Sequence, residues 1–188
     1  MFFFGHLGIG SKIVSPLTRG LPKKAVLLGT ILPDLIDKPL YYGLSLATGK
    51  QGSDLGLVSG SRTFAHTALF LLVITCAAIL RRSKPLAALS LGIASHLLLD
   101  SLSSYLISHP QQEIFRSVIM WPLNGWAFPI IPFHNLGEHL STISQPSSLA
   151  AEGIGLILLG REWHKTTICN QQVGRKSKGV QSAHVSSS

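Results

Sequence analysis

Charge is scarce in this chain. Only 13% of its 188 residues are Asp, Glu, Lys or Arg, roughly half the ~25% of an ordinary soluble domain. So little charge cannot cover a surface that faces water on every side. Apolar residues make up 46% of the chain and its mean hydropathy is +0.36, which points toward a membrane. Cysteine is nearly absent. Cys76 lies in an apolar run and Cys169 in a polar stretch, so no disulfide and no CxxC metal pair is expected. There is no glycine-rich phosphate loop, no serine in a nucleophile-elbow setting and no internal repeat. Met1 to Gly10 has no basic leader region and no small-residue cleavage site, so the N-terminus is expected to be retained. A comfortable apolar run of about 20 residues, the length that crosses a bilayer, is also missing.

Shorter apolar stretches are present. They are residues 25–36, interrupted by Pro33, then 64–80, 85–106 and 149–160. Flanking residues or local thinning of the bilayer can accommodate short spans. The net charge of +8 is placed unevenly. Arg19, Lys23 and Lys24 precede the first stretch. Arg81, Arg82 and Lys84 separate the second from the third, and Arg161 and Lys165 follow the fourth. The positive-inside rule puts these groups on the cytoplasmic side. A basic end suits an anionic membrane face better than sequence-specific nucleic-acid reading, so no specific nucleic acid is expected. Residues 108–148 read as irregular chain with short helices, rich in Trp and Pro. Residues 1–165 read as one helical domain, and residues 166–188 as a basic, Ser-rich, disordered tail.

Within this apolar frame stand six ionisable residues: His6, Asp34, Asp37, His66, His96 and Asp100. Imidazole and carboxylate are ligands for divalent metals. Successive groups lie about thirty residues apart, which lets the chain leave a point and return to it. His96 and Asp100 share a helix face at i, i+4. At about 1.5 Å per residue, Asp34 and Asp37 fall roughly 15–20 Å from Lys24, His66 roughly 22 Å from Arg81 and His96 roughly 18 Å from Lys84. The six therefore form one layer. Asp34 and Asp37 follow Pro33, which can kink a helix and free backbone groups. Lys38 competes for Asp37. His66 is read as starting the second helix, with Arg62 one turn before it and suited to an anion. His134, Glu138 and His139 form a weaker cluster, read as surface. His109 and His164 are read as structural.

Four segments carry a family resemblance: FGHLGIG at residues 4–10, GTILPDLID at 29–37, SRTFAHT at 61–67 and ASHLLLD at 94–100. In this order and spacing they resemble the inner-membrane-associated metal-dependent hydrolases, a family also described as LexA-regulated. The resemblance covers about residues 3 to 125. It implies a multi-helix, multi-pass protein of the bacterial inner membrane, with a His/Asp metal site and hydrolytic activity. The positions that match are His6, Asp34, Asp37, Arg62, His66, His96 and Asp100. Ser61 stands where the family often has His.

The expectation is an all-α, membrane-associated bundle with its metal site near one end of the helices. Zinc, or else manganese, would activate water toward a phosphoester or acyl ester of an amphiphile. A phospholipid or a lipid-linked phosphate would suit a site at a membrane face. Asp34 or Asp37 would act as general base and Arg62 would hold the substrate anion. The competing expectation is a metal-stabilised membrane scaffold without catalysis. Transport, a third reading of intramembrane His and Asp, fits less well with few helices and no repeat.

Overall fold

Glycine sets the spacing of the helices that carry the candidate His and Asp residues. A computed structural model describes residues 3–50, 52–107, 109–128 and 146–185, and shows helices and turns but no strand among them. Helix α1 is a composite run: Phe3–Gly5, a π-helical His6–Gly10, and Ser11–Val14. It is followed by α2 (Lys23–Thr48), α3 (Ala68–Leu80), α4 (Lys84–Ile107), α5 (His109–Ile119) and α6 (Pro146–Val185). Short 3-10 turns occupy Gly52–Leu55 and Phe64–His66.

Helices α2 and α4 share the largest interface. Gly29 and Gly92 meet at its centre. A Cβ on Gly29 would lie 2.3 Å from the Leu89 carbonyl oxygen, and one on Gly92 would lie 2.4 Å from that of Val26. Only hydrogen fits there, so the two backbones touch. The same device seats α1 on α6: a Cβ on Gly8 would be 2.1 Å from the Gly155 oxygen. Glu152 of α6 accepts hydrogen bonds from the backbone N–H groups of Phe4 (2.8 Å) and Gly5 (3.0 Å). These two contacts fix the depth of His6, which follows directly. Val14, Val26 and Ala88 form a small apolar core beneath, joining α1, α2 and α4.

Several boundaries differ from the sequence reading. Helix α2 runs through both Pro33 and Pro39 and ends at Gly49, which adopts the left-handed conformation (φ 68°). Proline removes one ladder bond and crowds the preceding turn, but burial against α4 holds the helix together. The second apolar stretch does not start as helix at residue 64. The chain makes a 3-10 turn at Phe64–His66, and α3 begins at Ala68, where the Thr67 hydroxyl accepts from the Phe70 N–H at 3.0 Å. Arg62 is therefore in a loop rather than on a helix one turn before His66. Helix α6 carries on to Val185, through the stretch whose composition reads as a disordered tail. No proline follows Pro146 to stop it.

One helix among the described residues, over Lys84–Tyr105, is long and apolar enough to cross a membrane, and it is half-buried. Helix α3 is apolar but shorter. Large apolar side chains face outward on several helices, among them Leu46 on α2, Val73 and Leu80 on α3, Leu98 on α4 and Ile157 on α6.

Candidate functional site

The ionisable layer expected from the sequence is a physical cluster. His6 comes from the π-turn of α1, Asp34 and Asp37 from α2, His66 from the 3-10 turn before α3, and His96 and Asp100 from α4. His6, Asp37, His66, His96 and Asp100 are each no more than 1% exposed, and Asp34 sits at the rim at 15%. Two overlapping triads, His6–His96–Asp100 and Asp34–His66–His96, have ligand atoms within 4.8 Å of one another. The chain has eight acidic residues in all, and three are here. The weaker cluster of His134, Glu138 and His139 lies outside the described residues.

Hydrogen bonds fix the imidazole tautomers. His96 Nδ1 is 2.8 Å from the Thr30 carbonyl oxygen. A carbonyl only accepts, so Nδ1 carries the proton and Nε2 presents its lone pair. The Thr30 carbonyl oxygen has two lone pairs, so it can take the His96 N–H whatever its place in the helical ladder. His66 Nδ1 donates to Asp37 Oδ2 at 2.7 Å. The Nε2 atoms of His66 and His96 then face each other across 3.2 Å. The His6 and His96 rings stack with centroids 4.0 Å apart.

Asp37 is placed differently from the other two carboxylates. Besides His66, it accepts from the backbone N–H of Thr63 at 2.7 Å and from that of Ala65 at 3.2 Å. It holds the whole Phe64–His66 turn against α2. Phe64 is braced from the far side by Trp121 and Phe128, with ring centroids 5.7 and 5.2 Å away. The Trp-rich segment thus supports the His66 turn. Lys38, expected to compete for Asp37, instead donates to Asp34 Oδ2 at 2.7 Å, one helical turn away.

Electrostatics at the centre are unbalanced. Asp100 is fully buried, and neither of its oxygens has a hydrogen-bond partner; the same holds for both ring nitrogens of His6. The nearest groups to Asp100 are His6 Nε2 at 3.3 Å and Arg62 Nε at 3.2 Å, both outside hydrogen-bond alignment. Its Oδ2 is 3.8 Å from the Nε2 atoms of both His66 and His96. Burying a carboxylate without hydrogen bonds costs several kcal/mol in general, and the Arg62 guanidinium, a cation 3.2 Å away, offsets part of that cost. Burial by itself would lower the His66 pKa, but hydrogen bonds to Asp34 and Asp37 outweigh it and raise the imidazole above its ordinary value. Arg62 is 26% exposed, and its guanidinium carbon lies 5.3 Å from the centroid of the Phe115 ring.

Sequence reasoning missed Glu152, which seats His6, and the Thr30 carbonyl, which orients His96. A lone carboxylate in the apolar stretch 149–160 was the available signal for Glu152. A backbone acceptor leaves no signal in the residue types.

No curated protein and no solved structure matches the chain. A family of inner membrane proteins matches across residues 1–165, and so includes every residue of this cluster. The match bears out the inner-membrane part of the resemblance carried by the four segments. The chain belongs to the YdjM inner membrane protein family.

Proposed function

We propose that the cluster binds a divalent metal, zinc or manganese, and that the protein is a multi-pass membrane hydrolase acting on a phosphoester or acyl ester of an amphiphile. The observation that carries this is the buried polar set: Asp100 and His6, which no aligned hydrogen bond satisfies and which only the ion pairs of Asp100 with Arg62 and His6 hold, beside the facing Nε2 atoms of His66 and His96. A metal cation that replaces the proton on His66 Nε2 would be held by both Nε2 atoms and would offset the carboxylate burial. His6, Asp34, His66, His96 and Asp100 are the ligand set. Asp37 is better assigned as the group that orients His66 than as a ligand or a general base, since its oxygens already accept three N–H donors. This revises the sequence expectation.

When bound, a divalent ion lowers the pKa of water and polarises a phosphoryl or acyl oxygen. The chain supplies the rest. Asp34 is the most accessible of the three carboxylates, so it is the ligand at the rim where a substrate would arrive. Lys38 and Arg62, 22% and 26% exposed, stand at the rim paired to Asp34 and Asp100; a metal taken up by those carboxylates would leave both cations to meet an anionic group on the substrate. Outward-facing apolar side chains on α2, α3, α4 and α6 support a multi-pass arrangement, which keeps that rim near lipid. A phospholipid or lipid-linked phosphate satisfies both conditions.

A non-catalytic scaffold remains the second reading, favoured by the number of elements the ligands tie together: α1, α2, the 3-10 turn and α4. Metal-loaded protein assayed against phosphoester and acyl-ester amphiphiles separates the two. Wild type should turn over one class, and Arg62→Gln should keep its metal while losing roughly 10²–10³ in rate. Equal rates in the two proteins would remove the role given to Arg62. An inert, metal-loaded wild type would leave the scaffold.

A further inference from the structure

A second concave site lies apart from the His/Asp cluster. It is a cavity of about 360 Å³ between α1, the loop that follows it, the start of α2, and α6. On α2 it reaches from Lys23 to Leu27, so its mouth at Lys23 lies about 16 Å along the helix from Asp34. Its walls have two characters. Leu21, Val26, Leu27, Leu158 and Leu159 make an apolar side. Lys12, Arg19 and Lys23 line the other, with Glu162 between two of them. Lys12 Nζ is 3.6 Å and Lys23 Nζ 3.9 Å from the Glu162 carboxylate, which draws both ammonium groups to the cavity wall. Three cations against one carboxylate leave the lining with a net positive charge. Arg19 has no described ion-pair or hydrogen-bond partner, so its planar fork of donors is uncommitted. Lys24, Arg81, Arg82 and Lys84 gather at the same end of the helices.

We propose that this cavity is a binding site for an anionic phospholipid, with its phosphate between Arg19 and Lys23 and its glycerol and first acyl carbons against the leucines of α6. The chemistry is complementary on both sides. A guanidinium fork and an ammonium match a phosphodiester, and apolar wall directly beside them matches what a lipid phosphate is attached to. The rim of a membrane protein's basic end is where anionic headgroups are concentrated. A free phosphate would use the cations and leave the leucine wall bare. The site is separate from the His/Asp cluster and stands whether or not that cluster binds metal.

The test uses the full-length protein in detergent, with bound lipid counted by native mass spectrometry. Phosphatidylglycerol should be retained in preference to phosphatidylcholine of the same chain length. Arg19→Gln/Lys23→Gln should lower that retention roughly thirtyfold, and Arg19→Gln alone about fivefold, since each cation near a lipid surface contributes about that much. Both variants change exposed side chains, and metal content should stay at the wild-type value. Arg81→Gln/Arg82→Gln removes the same charge from the same end and should change retention less than about twofold. Three results would overturn the proposal: equal retention of the two lipids, equal losses in the two double variants, or displacement of the lipid by inorganic phosphate at a similar concentration.

Discussion

Asp37 and His66 show how a single side chain acquires its role from its neighbour. With Asp37 on Nδ1, the His66 ring is held in one orientation and only Nε2 faces the centre. Asp37→Asn replaces an acceptor by an amide that cannot satisfy Thr63, Ala65 and His66 together. With Asp37 in the proposed orienting role, metal affinity should fall by roughly 10–100-fold, as competition with a chelator would reveal. Asp37→Asn affinity equal to wild type would remove the orienting role. His66 also sets a pH dependence. Its pKa is raised, so near neutrality a proton competes for the ring nitrogen that the metal needs. Affinity should therefore rise with pH and level off once pH passes the His66 pKa. The same titration should release protons into weakly buffered solution. Affinity that is flat between about pH 6 and 8 would contradict the assignment of His66.

Among the elements, the α2–α4 pair carries the strictest requirement. Gly92→Ala would force a methyl group against the Val26 carbonyl oxygen, which is backbone and cannot swing away. The helices must part, which separates the Thr30 carbonyl from His96 and Asp34 from the α4 ligands. Metal content and thermal stability should both drop. Gly43→Ala, on the same α2 with nothing within 4 Å, should be neutral or stabilising by up to about 1 kcal/mol in melting experiments. Comparable melting of the two variants would refute the close-contact account. Much at this scale was legible in the sequence. The i, i+4 pair on α4 and the common depth of Asp34, His66 and His96 follow from helical rise and from basic residues at one end. Other features were not legible. The helix continues past Pro33 and Pro39 because α4 packs against it, a tertiary effect. Asp37's partners are backbone N–H groups more than twenty-five residues away. Lys38 chose Asp34 because i, i+4 neighbours meet on a helix and adjacent residues diverge.

For the whole molecule, charge and exposure define two ends. Basic residues gather at the end of α3, the middle of α6 and the starts of α2 and α4, while the His/Asp cluster lies further along the bundle. Cysteine labelling in intact cells should find Ser83→Cys accessible from the cytoplasm and Ser53→Cys from the opposite side. Labelling of both from one side would mean that α3 does not span. The buried His/Asp cluster is proposed to be a divalent-metal centre. It is tested most directly by elemental analysis of the purified full-length protein beside its His96→Ala/Asp100→Ala variant. A divalent transition metal in wild type, at one or two ions per chain and absent from the folded variant, is the predicted result. A metal-free wild type that takes up no zinc or manganese, or a double variant with wild-type metal content, would contradict it.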